Sequence, residues 1–234
     1  MIHQLIFAAP RPGMTEAEFQ KYWVEVHAVK YASKIPQIKK YLIDTRVAVP
    51  GEKGEPIFSG LAEIWLENDK ESLESLQTKE FLEGARLDEP KWAAFWKTLV
   101  LEADADAHEI VKGPALAKGQ TWIKHITIIK RKEGMKLEDF RKYSLSKHAP
   151  LVAKIPGLRR YIQCHTRDSW YGFGEPRFDS TSMMWFDSVD AFVKAQETQE
   201  FKQVIADLPN FSEKKYVFPV MAAKENWIIG PEPR

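Results

Sequence analysis

The sequence predicts an α+β fold made of two tandem units, each with the order strand, helix, strand, strand, helix, strand. Short segments rich in β-branched residues alternate apolar and polar side chains, as strands do, and longer segments between them carry apolar residues at helical spacing. The same order of segments then occurs a second time within the 234 residues. The length suits two modest domains.

The repeat is visible as identical residues at a nearly constant offset. The first copy contains GMTEAEFQKYWVEVHAVKYASKIPQIKKYL, and the second contains GMKLEDFRKYSLSKHAPLVAKIPGLRRYI. Identical pairs lie 121 residues apart up to His27 and His148, and 120 residues apart from Ile35 and Ile155 to Phe81 and Phe201. Such a register indicates a duplicated structural unit.

Each copy divides into six segments. Those of the first copy are, in order, HQLIFAAP, TEAEFQKYWVEVHAVKYASKI, IKKYLIDTRV, FSGLAEIWLE, SLESLQTKEFLEGARL and KTLVLEA. Those of the second copy are WIKHITIIK, KLEDFRKYSLSKHAPLVAKI, LRRYIQCHT, STSMMWFDS, VDAFVKAQETQEFKQVIADL and KKYVFPVMA. This order is that of the split βαβ, or ferredoxin-like, motif.

The motif leaves one face of each sheet without helices, so two copies can bury these bare faces against each other. We therefore predict that the two antiparallel sheets pair into an intramolecular barrel around a cavity. Glycines and a proline near the middle of the chain predict the boundary. The predicted domains are residues 1–112 and 120–234, joined by a linker at residues 113–119.

Composition excludes several classes of function. Lys and Arg number 34 and Asp and Glu number 33, which leaves a net charge of +1 and favours neither a nucleic acid nor a membrane surface as partner. The single cysteine, Cys164, excludes an intrachain disulfide, and no apolar run is long enough to span a bilayer. The start MIHQLIFAAPRPGM does not resemble a signal peptide, so we expect a cytoplasmic protein. The balanced charge leads us to expect a small-molecule partner.

The runs FRKYSLSKHAPLVAKIPGLRRYI and FQKYWVEVHAVKYASKIPQIKKYL resemble the EthD family, within the dimeric α/β-barrel superfamily. The resemblance implies ferredoxin-like units paired into a barrel, and relatives that are lactone isomerases, cyclases, dehydratases, decarboxylases or oxygenases. It therefore predicts the fold better than the reaction. The sequence departs from the common form of the family in two ways. It carries two units in tandem, and it has His27-Ala28-Val29 in place of the usual His-Ala-Pro.

His148 is the first candidate catalytic residue. It falls on the same helical stripe as Leu151 and Val152, so we expect it to face the sheet. It is either a core imidazole bound to a backbone carbonyl or an acid or base that lines a cavity. The resemblance to lactone isomerases implies a role for His148 together with Tyr161; the alternative for Tyr161 is ordinary strand packing. His27 has bulky neighbours and is the weaker candidate.

Strand alternation supplies further candidates. We expect the helices to cover Ile126, Ile128, Ile162 and Cys164, which would leave the opposite face to the barrel cavity. The second-copy residues expected at that cavity are His125, Thr127, Tyr161, Gln163, His165, Met183 and Trp185; those of the first copy include Tyr41, Glu63 and Trp65. His125 and His165 are candidate catalytic groups, or else strand-end residues in solvent.

Glu63 and the two tryptophans each allow two interpretations. If Glu63 faces the cavity, burial would raise its pKa and make it a usable acid or base; otherwise it is an edge carboxylate. Trp65 and Trp185 would provide flat apolar walls for an aromatic substrate, or else belong to the core.

The sequence lacks the motifs of dinucleotide binding, phosphate loops, zincins and nucleophile elbows. The six histidines have no recognised metal spacing, so neither a metal nor a cofactor is expected. Our leading hypothesis is a cofactor-independent lyase or isomerase that moves a proton on an aromatic, lactone or polyketide-like substrate. The alternatives are a haem-binding or oxygenase barrel and a non-catalytic carrier of apolar metabolites. A homodimer is compatible with each.

Overall fold

The first half of the chain forms the predicted helix and strand pattern. The structure is a computed structural model that describes residues 1–105, 108–113 and 122–234. The strands of this half are β1 (Ile2–Ala8), β2 (Lys40–Val47), β3 (Gly60–Leu66) and β4 (Leu99–Asp104). Its helices are α1 (Glu16–Tyr22), α2 (Ala28–Lys30), α3 (Asp69–Ser75) and α4 (Arg86–Asp88). A π-helical turn (Trp23–His27) joins α1 to α2, and another (Glu80–Ala85) precedes α4.

A short strand, β5 (His108–Val111), comes next and was not predicted from the sequence. The strands of the second half are β6 (Ile123–Arg131), β7 (Arg160–His165), β8 (Ser180–Phe186) and β9 (Ser212–Ile229). Its helices are α5 (Leu137–Tyr143), α6 (Ala149–Val152), α7 (Asp168–Tyr171), α8 (Val189–Gln196) and α9 (Gln199–Asp207). A π-helical turn (Ser144–His148) joins α5 to α6. The predicted linker lies outside the described residues except for Gly113.

Local capping sets where the helices begin. Thr15 and Glu18 form a reciprocal capping box at the start of α1. The sequence predicts one long helix near the end of the second half, but the structure has two. Thr198 accepts a hydrogen bond from the backbone N–H of Phe201, which starts α9 and separates it from α8.

The strands form one antiparallel sheet in the order β4-β1-β3-β2-β9-β6-β8-β7-β5. The 18-residue strand β9 joins the two halves, because it pairs with β6 along one part and with β2 along the other. The sheet closes where Ala103 bridges Thr166 and the amide of Arg167 donates to the carbonyl of Glu102 at 2.9 Å. The predicted α+β fold, with two ferredoxin-like units closed into a barrel within one chain, is confirmed.

The expected direction of several side chains was wrong. Ile126, Ile128, Ile162 and Cys164 lie in the apolar core inside the barrel, not under the helices. The polar residues that alternate with them therefore face the helices: His125, Thr127, Tyr161, Gln163 and His165, with Tyr41 in the first half. Every residue of β8 is buried, so alternation of polarity does not reveal which face is which.

Met183, Trp185, Glu63 and Trp65 do face the inside of the barrel, as expected. Met183 and Trp185 belong to its core, and Glu63, Trp65 and Trp185 line a cavity there, which we call the barrel cavity. The single cavity predicted from the sequence is thus two cavities on opposite faces of the sheet. No described helix is long and apolar enough to cross a bilayer.

A buried lysine joins the two halves inside the barrel. Lys124 Nζ lies 3.0 Å from a carboxylate oxygen of Asp44 and 2.7 Å from one of Glu225, and it also contacts Glu63. Glu63 additionally pairs with His3 Nε2 at 2.7 Å. Burial raises the pKa of Asp44 well above its usual range although Lys124 opposes this, whereas Lys124 and His3 overcome burial and lower the pKa of Glu63.

We expect Lys124→Met to lower the free energy of unfolding by roughly 3–5 kcal/mol, because it leaves buried carboxylates without their counter-charge. Urea denaturation followed by circular dichroism measures this. The matched control is Lys70→Met, since the Lys70 ammonium is 3.7 Å from Glu74 but is exposed. That variant should change stability by less than about 0.5 kcal/mol. Equal losses in the two variants would contradict a structural role for Lys124.

Candidate functional site

A cavity of about 460 Å³ lies between the sheet and the helices of the second half. We call it the helix–sheet cavity. Strands β6 and β8 provide its floor, and α9 with the start of β9 covers it. Its apolar walls are formed by Ile129, Val152, Met184, Phe201, Val204, Leu208 and Val217. Its polar lining includes His125, Thr127, His148 and Ser182. A space of this size with few polar groups suits a small organic ligand.

His148 lies at the last residue of the π-helical turn and is buried at the cavity wall. Its Nδ1 is 2.9 Å from a carboxylate oxygen of Asp207, at the end of α9. Because a carboxylate only accepts hydrogen bonds, Nδ1 carries the proton and Nε2 is left with a free lone pair. The ring also packs against Phe211, with centroids 4.7 Å apart. His148 is thus fixed in the tautomer of a general base.

Asp207 is held as an ionised carboxylate. Burial alone would raise its pKa, but hydrogen bonds from Asn210, His148 and Tyr143 together lower it. The Tyr143 hydroxyl donates at 2.8 Å and the Asn210 amide at 2.9 Å. Burial lowers the pKa of His148, while Asp207 opposes this. The imidazole is therefore neutral near pH 7, and the adjacent carboxylate can stabilise it when it accepts a proton.

His125 reaches the same cavity from β6. Its ring stacks on Phe192 with centroids 4.4 Å apart, and burial lowers the pKa of His125 to about 4. Its Nδ1 has no hydrogen-bond partner within the described parts of the chain. A neutral, buried imidazole with unused hydrogen-bonding capacity can bind a polar group of a ligand, either as donor or as acceptor.

Two hydroxyl groups, those of Thr127 and Ser182, stand opposite each other on β6 and β8 and line the cavity. Ser182 was not predicted as a site residue. Tyr161 lies behind it on β7 and does not line the cavity; its hydroxyl accepts from Gln163 at 2.6 Å and also interacts with Ser182. Burial raises the pKa of Tyr161 to about 12, so the phenol stays protonated. Gln163 in turn accepts from Ser144 at 2.7 Å.

His165 lies apart from this cavity. Its ring is 5.0 Å from that of His108, and its Nε2 is 3.2 Å from the amide oxygen of Gln163. Burial, with the nearby His108 and Arg141, lowers the pKa of His165 to about 3. His165 thus lines a separate, smaller depression with Arg141.

The first half repeats the dyad but not its surroundings. His27 Nδ1 lies 3.0 Å from Asp88, to which the Tyr22 hydroxyl also donates at 2.9 Å. Trp92 packs on His27 with centroids 4.7 Å apart and also contacts Trp23.

Apolar residues stand at the positions equivalent to the two hydroxyl residues of the helix–sheet cavity, and Gln4 stands at the position equivalent to His125. By the repeat offsets, Ile6 stands for Thr127 and Ala62 for Ser182. His27 is therefore buried in a packed core.

Asp207 is the main residue that sequence reasoning missed. A signal for it exists in the repeat, because Tyr22, His27 and Asp88 recur as Tyr143, His148 and Asp207. Asp88 and Asp207 lie 119 residues apart, one residue fewer than Tyr41 and Tyr161. The first helix of each copy does not reveal this additional shift.

One group of carboxylates has the spacing of a metal site. Oxygens of Asp44, Glu63 and Glu225 lie within 4.8 Å of one another. The Lys124 ammonium lies among them and supplies the positive charge there.

The fold and the site define a barrel of two ferredoxin-like units, each with a histidine–aspartate pair under its helices, and the pair of the second unit lies beside a cavity. Residues 11–95 and 132–215 each match the model of the EthD domain, and the chain belongs to the EthD family, with two domains in tandem. The chain matches no protein of known, curated function.

Three solved structures illustrate the similarity. An anthrone oxidase-like protein has a TM-score of 0.66 and 11% identity, over 97% of this chain and 92% of that chain. A protein of Fusobacterium nucleatum named as a monooxygenase has a TM-score of 0.60 and 10% identity, over 99% and 96%. A Bacillus halodurans protein of the ethyl tert-butyl ether D family is 26% identical over 45% of this chain and 96% of its own, with a TM-score of 0.36. The two full-length similarities establish the fold.

The low pKa of His125 predicts a loss of stability in acid. The folded value of about 4 lies below the ordinary 6.5, so the unfolded chain binds the proton first as pH falls. The stabilisation is complete above pH 6.5 and should fall by roughly 3 kcal/mol between about pH 6.5 and 4. Urea denaturation at several pH values in this range gives the free energy of unfolding as a function of pH. This curve should be shallower for His125→Gln than for the unaltered protein. Parallel curves for the variant and the unaltered protein would show that His125 does not titrate in this way.

Proposed function

We propose that the protein is a cofactor-independent lyase or isomerase, with its active site in the helix–sheet cavity of the second half. The observation that carries the proposal is the buried His148–Asp207 dyad at the wall of an apolar cavity of about 460 Å³. A neutral imidazole with its tautomer fixed by a carboxylate is the arrangement of a general base.

The proposed reaction begins with removal of a proton from a carbon next to a carbonyl group. His148 Nε2 accepts this proton, and Asp207 stabilises the resulting imidazolium. Negative charge then develops on the carbonyl oxygen of the substrate. The hydroxyls of Thr127 and Ser182 and the imidazole of His125 are the cavity groups that can donate hydrogen bonds to that oxygen.

Return of the proton from the His148 imidazolium to another carbon gives isomerisation. Transfer of the same proton to a departing hydroxyl group, with formation of the carbon–carbon double bond, releases water and gives dehydration. The walls formed by Met184, Phe201 and Val204 favour a flat, apolar substrate such as an aromatic, lactone or polyketide-like compound. We assign Tyr161 and Gln163 a positioning role, because their hydrogen bonds fix Ser182 and the strand beneath the cavity. His165 has no part in this reaction.

We expect His148→Gln to lower turnover on the order of 100-fold, the usual effect of losing a positioned acid or base. The assay is exchange of the α-proton into D₂O, followed by NMR over a panel of lactones and phenolic ketones. His27→Gln is the matched control, because it alters the equivalent dyad in the packed half. It should leave turnover close to that of the unaltered protein.

Equal turnover in the unaltered protein and His148→Gln would remove the catalytic role of His148, and a larger loss in His27→Gln would move the site to the first half. A Soret absorption band in the purified protein would favour the haem-binding alternative. Ligand binding without exchange, unchanged by either variant, would favour the carrier alternative.

The pH profile tests the role of Asp207. The base form of His148 is required, so kcat/KM should fall as pH drops through its pKa, which burial places below 6.5. Asp207 raises that pKa, so Asp207→Asn should move the acid limb to lower pH as well as reduce the rate. An acid limb that stays in place or moves upward would contradict the electrostatic coupling.

A further inference from the structure

The barrel cavity, of about 490 Å³, shares no lining residue with the helix–sheet cavity. Residues from both halves of the chain form its walls, among them Lys40, Trp65, Arg160 and Trp185. Its volume lies in the range of sites that hold small organic ligands. The chemistry proposed above does not use it.

Two cation–tryptophan pairs related by the repeat line this cavity. Lys40 Nζ lies 4.9 Å from the ring centroid of Trp65, and the Arg160 guanidinium carbon lies 5.1 Å from that of Trp185. The repeat offset of 120 residues relates Lys40 to Arg160 and Trp65 to Trp185. The barrel thus brings two equivalent cations to one cavity, each above an aromatic wall.

Lys40 and Arg160 line the same cavity, and their like charges oppose each other. Burial, together with the positive charge of Arg160, lowers the pKa of Lys40, although Glu232 and Glu63 oppose this. Lys40 forms no ion pair within the described residues, and Arg160 uses only Nε, which donates to Glu109 at 2.7 Å. The terminal guanidinium nitrogens of Arg160 and the ammonium of Lys40 therefore remain available as charged donors.

The remaining charges of the cavity are already compensated. Lys124 binds Glu63 and Glu225, and His3 also pairs with Glu63. The carboxylates of Glu63 and Glu225 are thus occupied. Glu109 pairs with Nε of Arg160, so among the described residues the unused charged donors are the ammonium of Lys40 and the terminal guanidinium nitrogens of Arg160.

Aromatic rings at the barrel cavity offer flat surfaces for contact with a ligand. His3 stacks on Trp65 with ring centroids 4.2 Å apart, and Trp227 stacks on Trp65 at 5.9 Å. Trp227 lines the same cavity, and its buried indole N–H has no acceptor within the described residues. Flat rings beside unpaired donors suit a flat ligand that carries acceptor oxygens.

We propose that the barrel cavity is a second binding site, for a planar aromatic carboxylate whose ring lies against the tryptophans and whose carboxylate bridges Lys40 and Arg160. The ligand places negative charge between two cations that otherwise repel each other, and it gains charge-assisted hydrogen bonds from both. This site is independent of the proposed reaction, since no residue of the His148–Asp207 dyad contributes to it.

Isothermal titration calorimetry with 2-naphthoate tests the proposal, with the uncharged 2-naphthamide as the matched ligand. We expect naphthoate to bind the unaltered protein at least about tenfold more tightly than naphthamide. Lys40→Gln should remove this preference and Lys40→Arg should retain it, with melting temperatures recorded to verify folding. Lys214→Gln removes a cation that lines the helix–sheet cavity and should leave naphthoate affinity unchanged.

Three results would overturn the proposal: no binding of naphthoate, equal binding of acid and amide to the unaltered protein, or sensitivity to Lys214→Gln in place of Lys40→Gln. The ligand comparison uses the unaltered protein, so it decides even if a variant fails to fold. The proposed enzymatic function stands or falls separately, because it depends on proton exchange at His148.

Discussion

Each half of the chain has helices on only one face of its strands, so the other face must be covered by the other half. Closure of the barrel meets this requirement within one chain. The sheet is continuous between the halves because β9 pairs with strands of both. Both faces of most strands are consequently buried. This constraint separates the interior of the barrel from the space beneath each helical layer, and it decides which side chains can meet.

Duplication allowed the two halves to diverge around a shared framework. Both retain a tyrosine–aspartate–histidine cluster with a buried histidine at the π-helical turn, so the cluster itself is compatible with a structural role. What differs is the space beside it. In the first half, Trp23 and Trp92 fill the space beside the histidine of the cluster. In the second half, that space is a cavity lined by hydroxyl groups and a second histidine. Inside the barrel, the substitution of His3 by Lys124 at the equivalent position likewise gives an ion cluster that binds one half to the other.

The fold was accessible from the sequence because repeat, alternation and helical spacing all indicated the same order of elements. Helical spacing predicted that His148 faces the sheet, and it does. His125 and Thr127 were predicted to line a cavity, but on the opposite face of the sheet from the one where they lie. The faces of β6 and β7 were predicted wrongly, since isoleucines that pack inside the barrel have the same pattern as isoleucines that pack beneath helices. Spacing along the chain does not specify contacts between distant segments. For this reason the sequence did not predict the roles of Asp207, Ser182 and the partners of Lys124.

Two adjacent methionines on β8 offer the most direct test of where the reaction takes place. Met183 packs inside the barrel and Met184 lines the helix–sheet cavity, so their methyl groups report on opposite faces of one strand. The measurement is a titration of methyl-¹³C-methionine protein with a turned-over substrate or its unreactive analogue, with resonances assigned by Met183→Leu and Met184→Leu. The account predicts that the Met184 methyl resonance shifts at saturation and that of Met183 does not. A shift confined to Met183 would place the substrate inside the barrel and contradict a site at His148.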